Sequence, residues 1–125
     1  MKLLEWVARL AAAVILLQTL FFKFSGAPES VYIFQTLGAE PWGRYGSGAA
    51  ELVAAVLLLI PRTGLYGGLL SAAVMIGAIG AHLTRLGIEV QGDGGTLFGL
   101  AVVVLVSALT VVWLRRKDCR FFRPA

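Results

Sequence analysis

Four long apolar stretches, each closed off by charged residues, proline or glycine, constrain this chain more than anything else in it. They run from about Leu3 to Phe22, Tyr45 to Ile60, Gly64 to Leu83 and Leu97 to Leu114. A helix needs about 20 apolar residues to cross the hydrocarbon layer and satisfies its own backbone groups on the way, so these stretches read as membrane-spanning helices. Composition agrees. Of the 125 residues 58% are hydrophobic, and the mean hydropathy is +0.84, which is too apolar for a soluble fold to hide. The expected fold class is all-α: an integral membrane four-helix bundle, antiparallel, forming one transmembrane domain over residues 1–125 with a basic tail at 115–125. A cleavable signal peptide competes for the first stretch, since Lys2 and Arg9 precede an apolar run and Ser25-Gly26-Ala27 resembles a cleavage site. Lys23 interrupts the approach to such a site and favours the span.

Lys and Arg set the orientation, because cytoplasmic loops are enriched in both. One side of the bundle holds Lys2, Arg9, Arg62, Arg115, Arg116, Lys117, Arg120 and Arg123, and the other Lys23, Arg44 and Arg85, a count of eight against three. Both termini are therefore expected in the cytoplasm, in the plasma (inner) membrane of a prokaryote. Trp6, Tyr66 and Trp113 fit the inner interface, and Trp42 and Tyr45 the outer one. The net charge of +4 gathers at span ends and in the tail, which suits topology and gives no nucleic-acid face. Between Ser25 and Gly43, the prolines Pro28 and Pro41 bracket Val31, Phe34 and Leu37 at helical spacing. A short interfacial helix is expected there, lying on the membrane or folded over the bundle as a lid. The third stretch carries two small-residue ladders, Gly64/Gly68/Ala72 and Ala73/Gly77/Ala81, suited to close helix approach within the bundle or to a homo-oligomer contact.

Ionisable groups inside a bilayer are costly unless paired or hydrated, which makes them functional candidates. Glu51 lies ~9 Å below Tyr45 at 1.5 Å rise per residue. With antiparallel spans, Gln18, Lys23, Glu51, His82, Arg85 and Asp93 come to similar depth at the outer end, and these six are the candidate ligand-binding residues. Ser47, Glu51, Ala54 and Leu58 share a helical face, so Glu51 points into the bundle and needs a cation from Lys23, His82 or Arg85. Two uses stay open: a polar clasp that fixes helix register, or a site in which Glu51 and His82 handle protons and hydrogen-bond a quinone-like head group.

Counting removes several chemistries. One histidine cannot give bis-His haem ligation, and one cysteine, Cys119, cannot hold an iron–sulfur cluster or run a dithiol cycle. Cys119 reads as a tail thiol, with palmitoylation as its alternative use. Glu51, His82 and Asp93 lack metal-site spacing, so no metal is expected. Gly92-Asp93-Gly94-Gly95 lacks a phosphate-loop lysine and reads as a reverse turn. No complete catalytic motif is present, which leaves enzyme status undecided.

Phe22-Lys23-Phe24, Gly48-Ala49-Ala50-Glu51-Leu52, Ile60-Pro61-Arg62-Thr63-Gly64 and Ala81-His82-Leu83-Thr84-Arg85-Leu86-Gly87, in this order on four short spans, resemble the DoxX-like family. The resemblance covers nearly the whole chain. It implies a four-helix membrane bundle whose founding relatives resemble a small subunit of a quinone-linked oxidoreductase, with Lys23, Glu51 and His82 at the family's polar positions. The expected function is an accessory membrane subunit of a quinone-linked redox system. It would bind a quinone or other amphipathic small molecule, with no covalently bound cofactor. Its partners would be the lipid bilayer and membrane or soluble redox proteins. The alternative is a non-enzymatic assembly or stabilising protein whose polar cluster is structural; transport is a third and weaker reading, because four spans leave little room for alternating access.

Overall fold

The computed structural model describes residues 2–40, 42–88 and 94–118. Five α-helices make up the described chain, which contains no strand: α1 (Lys2–Ser25), α2 (Pro28–Thr36), α3 (Trp42–Leu59), α4 (Gly64–Ala81) and α5 (Thr96–Leu114). A 3-10 turn, Pro61–Thr63, joins α3 to α4, and a π-helical turn, His82–Leu86, prolongs α4. Lys2–Ser25, Pro61–Leu86 and Thr96–Leu114 are long and apolar enough to cross a membrane. α3 matches them in packing but carries Arg44, Ser47 and Glu51 in its first half. It starts at Trp42, three residues before the apolar pattern begins.

The four long helices form a ring in which α1 packs on α3 and α5, and α4 packs on the same two. Small residues let them approach. Ala12, Ala13, Ala54, Ala55 and Ala108 are fully buried, and Leu16, Leu58, Val104 and Val111 fill the space between. In lipid the outward face needs no cover, and Val14, Phe21, Val53, Ile76 and Val106 are exposed there.

One end of this ring is closed tightly. A Cβ on Gly67 would stand 2.6 Å from the Leu58 amide nitrogen, and one on Gly68 3.1 Å from the Ala108 carbonyl oxygen. The first small-residue ladder is therefore used inside the bundle. Backbone atoms cannot yield as a flexible side chain can, so Gly67→Ala is expected to destabilise the bundle by about 1–3 kcal/mol. A lowered melting temperature in mild detergent would show it, and an unchanged one would mean that α3 and α4 are free to separate.

The same end holds a buried polar clasp that sequence reasoning treated as interruptions of the first span. Arg9 is 1% exposed. Its Nε donates to the Leu58 carbonyl oxygen at 2.6 Å, Nη2 donates to the Ile60 carbonyl, and Nη1 reaches Glu5 Oε2 at 2.7 Å. The guanidinium thus caps the orphan carbonyls at the end of α3 from a neighbouring helix, where the helix dipole favours a cation. Trp6 lies under it at 4.2 Å from ring centroid to Cζ, and Arg115 approaches Glu5 at 3.9 Å. Gly64 leaves the room, since a Cβ there would stand 2.7 Å from Arg9 Cζ. Arg9 and the buried Arg44 are not loop charges, so both leave the orientation count, and its asymmetry persists without them.

The opposite end is covered by α2, which packs on α1, α3 and the π turn. The expected short helix is present, and of its two expected positions it takes the lid. Two glycines fold it back. Gly26 (φ 71°) and Gly38 (φ 73°) sit just past the ends of α1 and α2 in the left-handed region. Ala27 N–H donates to the Phe22 carbonyl at 3.1 Å and Ala39 N–H to the Phe34 carbonyl at 2.7 Å, the six-residue closure that ends a helix in a sharp reversal. Arg44 fastens the corner: it pairs with Glu40 at 2.8 Å and donates through Nη1 to the Lys23 carbonyl at 2.6 Å.

Candidate functional site

Between the lid and the close-packed end lies a cavity of about 800 Å³. Leu16, Met75 and Val104, which also belong to the core, form its floor, and Ile33, Phe34 and Leu37 hang over it from the lid segment. Its walls come from α1, α3, α4 and α5, so the whole ring contributes. The second ladder of α4 takes part as wall rather than as helix contact. Ala73, Gly77 and Ala81 face the cavity, and a Cβ on Gly77 would meet nothing within 4 Å.

Four of the six candidate residues line this one space: Gln18, Lys23, Glu51 and His82. Glu51 is 3% exposed and has a partner on each oxygen. Lys23 Nζ stands 2.9 Å from Oε1, and Thr19 Oγ1 lies 2.9 Å from Oε2 while also 3.0 Å from the Leu16 carbonyl. Of the cations the sequence offered, Lys23 is the one that pairs. One hydroxyl proton serves both Thr19 contacts, so the carboxylate retains acceptor capacity toward the cavity. Ser47, one turn before Glu51, lines the cavity as expected from the shared helical face.

His82 opens the π turn and is 5% exposed. Its Nδ1 lies 2.9 Å from the Gly87 carbonyl oxygen, and its ring meets Phe98 edge-on at 5.6 Å between centroids. No hydrogen bond joins His82 to Glu51. They share a cavity, so a proton passing between them would need a ligand or water in the gap.

Arg85 departs from the expected cluster: it is exposed and lies outside the cavity lining. The π turn is the reason. Bonding from i to i+5 winds fewer degrees per residue, so a side chain three positions after His82 does not return to its face, whereas Leu86, four positions on, does line the cavity. Asp93 falls outside the described residues, as does Cys119. Among the described residues no three His, Cys, Asp or Glu side chains gather as a metal site. Thr19 was missed because a threonine hydroxyl in an apolar helix can be satisfied by its own backbone, as this one is at the Leu16 carbonyl; its position four before Lys23 places it on the same face.

The DoxX-like family matches residues 7–111, which takes in α2, α3 and α4 whole, most of α1 and α5, and every described cavity residue. The chain belongs to the DoxX-like family. This is a family of membrane proteins, and the resemblance seen in the motifs of the sequence is thereby established. The match begins just before Arg9 and ends at Val111, so the clasp, the lid and the cavity of this DoxX-like protein all lie in the family's shared region, apart from Glu5, Trp6 and Arg115 of the clasp. No curated protein and no solved structure matches the chain.

Proposed function

We propose that this DoxX-like protein is an accessory membrane subunit of a quinone-linked redox system, and that its cavity holds the head group of a quinone-like amphiphile. In this reading all four long helices cross a prokaryotic plasma membrane, both termini are cytoplasmic, and the cavity sits in the outer half beneath the lid. A membrane or soluble redox protein would be its working partner. One observation carries the reading: Lys23, Glu51 and His82 face an apolar cavity of about 800 Å³ instead of close-packed helices. Sites for small molecules have this character, mostly apolar walls, a few convergent polar groups and volumes of about 300–1,000 Å³. A clasp has the opposite character, and the protein already has one at Arg9, in contact with backbone carbonyls and glycine.

Gly77→Leu separates the two uses, because Gly77 lines the cavity and a Cβ there would meet nothing within 4 Å, so the substitution adds apolar bulk at the cavity wall and leaves Lys23, Glu51 and His82 in place. Mass spectrometry of small molecules retained in mild detergent is expected to find a quinone-like amphiphile in the wild type and at least about tenfold less in the variant, a loss of about 1.4 kcal/mol. An empty wild type, together with unchanged quinone-dependent electron transfer in native membranes carrying Gly77→Leu, would reject the proposal and favour an assembly role.

A further inference from the structure

We propose that the cavity selects head groups bearing a hydroxyl hydrogen-bond donor, the phenolic or reduced form of an amphiphile, through Nε2 of His82. The inference rests on the cavity being an amphiphile site and adds which chemical form it takes. The Gly87 carbonyl fixes the polarity of the ring. A carbonyl oxygen only accepts, so the ring nitrogen facing it at 2.9 Å carries a proton. In the neutral imidazole the other nitrogen, Nε2, is then an acceptor. Among the described residues it has no protein partner, although the side chain is 5% exposed and lines the cavity. The Phe98 edge fixes the ring plane and offers no hydrogen bond of its own.

An acceptor that opens onto a mostly apolar cavity and has no protein partner discriminates between ligands. A ligand hydroxyl satisfies it, while a methoxy or carbonyl oxygen in the same place leaves two acceptors facing each other. Across the cavity the polarity is reversed at Lys23, whose ammonium has protons beyond the one given to Glu51 and can serve a ligand oxygen as donor. A head group with a hydroxyl toward His82 and an oxygen toward Lys23 meets both demands.

The test uses two redox-inert probes, 4-octylphenol and its methyl ether, with the full chain in nanodiscs. His82 is the one histidine in the sequence, so ¹⁵N-histidine labelling gives a single pair of ring signals. The wild type is expected to show the Nδ1–H tautomer, to shift its Nε2 signal on adding the phenol, and to bind the phenol at least about tenfold tighter than the ether. In His82→Phe that ratio is expected to fall below about twofold. Equal affinities in the wild type, a discrimination that survives in His82→Phe, or an Nε2–H tautomer would each overturn the inference while leaving the cavity a binding site. If neither probe binds, the reading of the cavity falls and this inference falls with it. The tautomer is read from the wild type, so a failure of His82→Phe to fold does not remove the test.

Discussion

Arg9→Met is expected to be the most damaging single substitution in the molecule, costing about 3–5 kcal/mol, because it removes one member of a buried charged network and strands the rest. Glu5 loses the cation at 2.7 Å, and the buried Leu58 carbonyl and the part-buried Ile60 carbonyl lose their donor. Methionine fills much of the volume, so the loss is electrostatic and not a packing void. Thermal unfolding in mild detergent checks it directly. Two companions sharpen the result. Glu5→Gln combined with Arg9→Met should recover part of the loss, since no bare carboxylate is left. Arg9→Lys should retain less than its charge suggests, because a single ammonium cannot reach several carbonyls with the geometry of a guanidinium. A melting temperature within a degree or two of wild type for Arg9→Met would mean that water reaches this end of the bundle.

Glu51→Gln is expected to show the reverse pattern, little change in stability and a large loss of ligand. The amide oxygen still accepts from Lys23 or Thr19, and the cavity beside it gives the side chain room to adjust. What disappears is the negative charge that holds Lys23 in place at 2.9 Å, so its ammonium is no longer fixed at the cavity wall, where the proposed ligand would need it. Retained amphiphile should fall at least about tenfold while the melting temperature moves by only a few degrees. Were Glu51 a register clasp, the variant would instead melt far below the wild type, much as Arg9→Met should. Comparing the two variants in one experiment therefore tests the division of labour between the two ends of the bundle.

The helices were legible because length and apolarity are linear properties of a sequence. Even α2 was visible, through Pro28 and the spacing of Val31, Phe34 and Leu37. What α2 covers was not, because amphipathicity says that a face is buried and not by what. The start of α3 was misplaced for a related reason. Arg44 looks like a water-facing boundary, yet the structure buries it against Glu40 and the Lys23 carbonyl. Charge in an apolar layer drew attention to Lys23, Glu51 and His82, which do share one space, and equally to Arg85, which the winding of the π turn carries away. Arg9 carried the same signal but was assigned to topology. Its partners are mostly backbone carbonyls, and a carbonyl leaves no trace in a sequence.

The separation of the closed end from the open one bears on how such a bundle can diverge. Gly64, Gly67 and Arg9 are tied to backbone atoms and to each other, so almost any change there is felt by the whole fold. Ala73, Gly77 and Leu100 border the cavity, and a Cβ on Gly77 would meet nothing within 4 Å. Substitutions along the cavity wall can therefore accumulate and reshape its lining while the base keeps its geometry, giving this small scaffold a wide range of neutral variation.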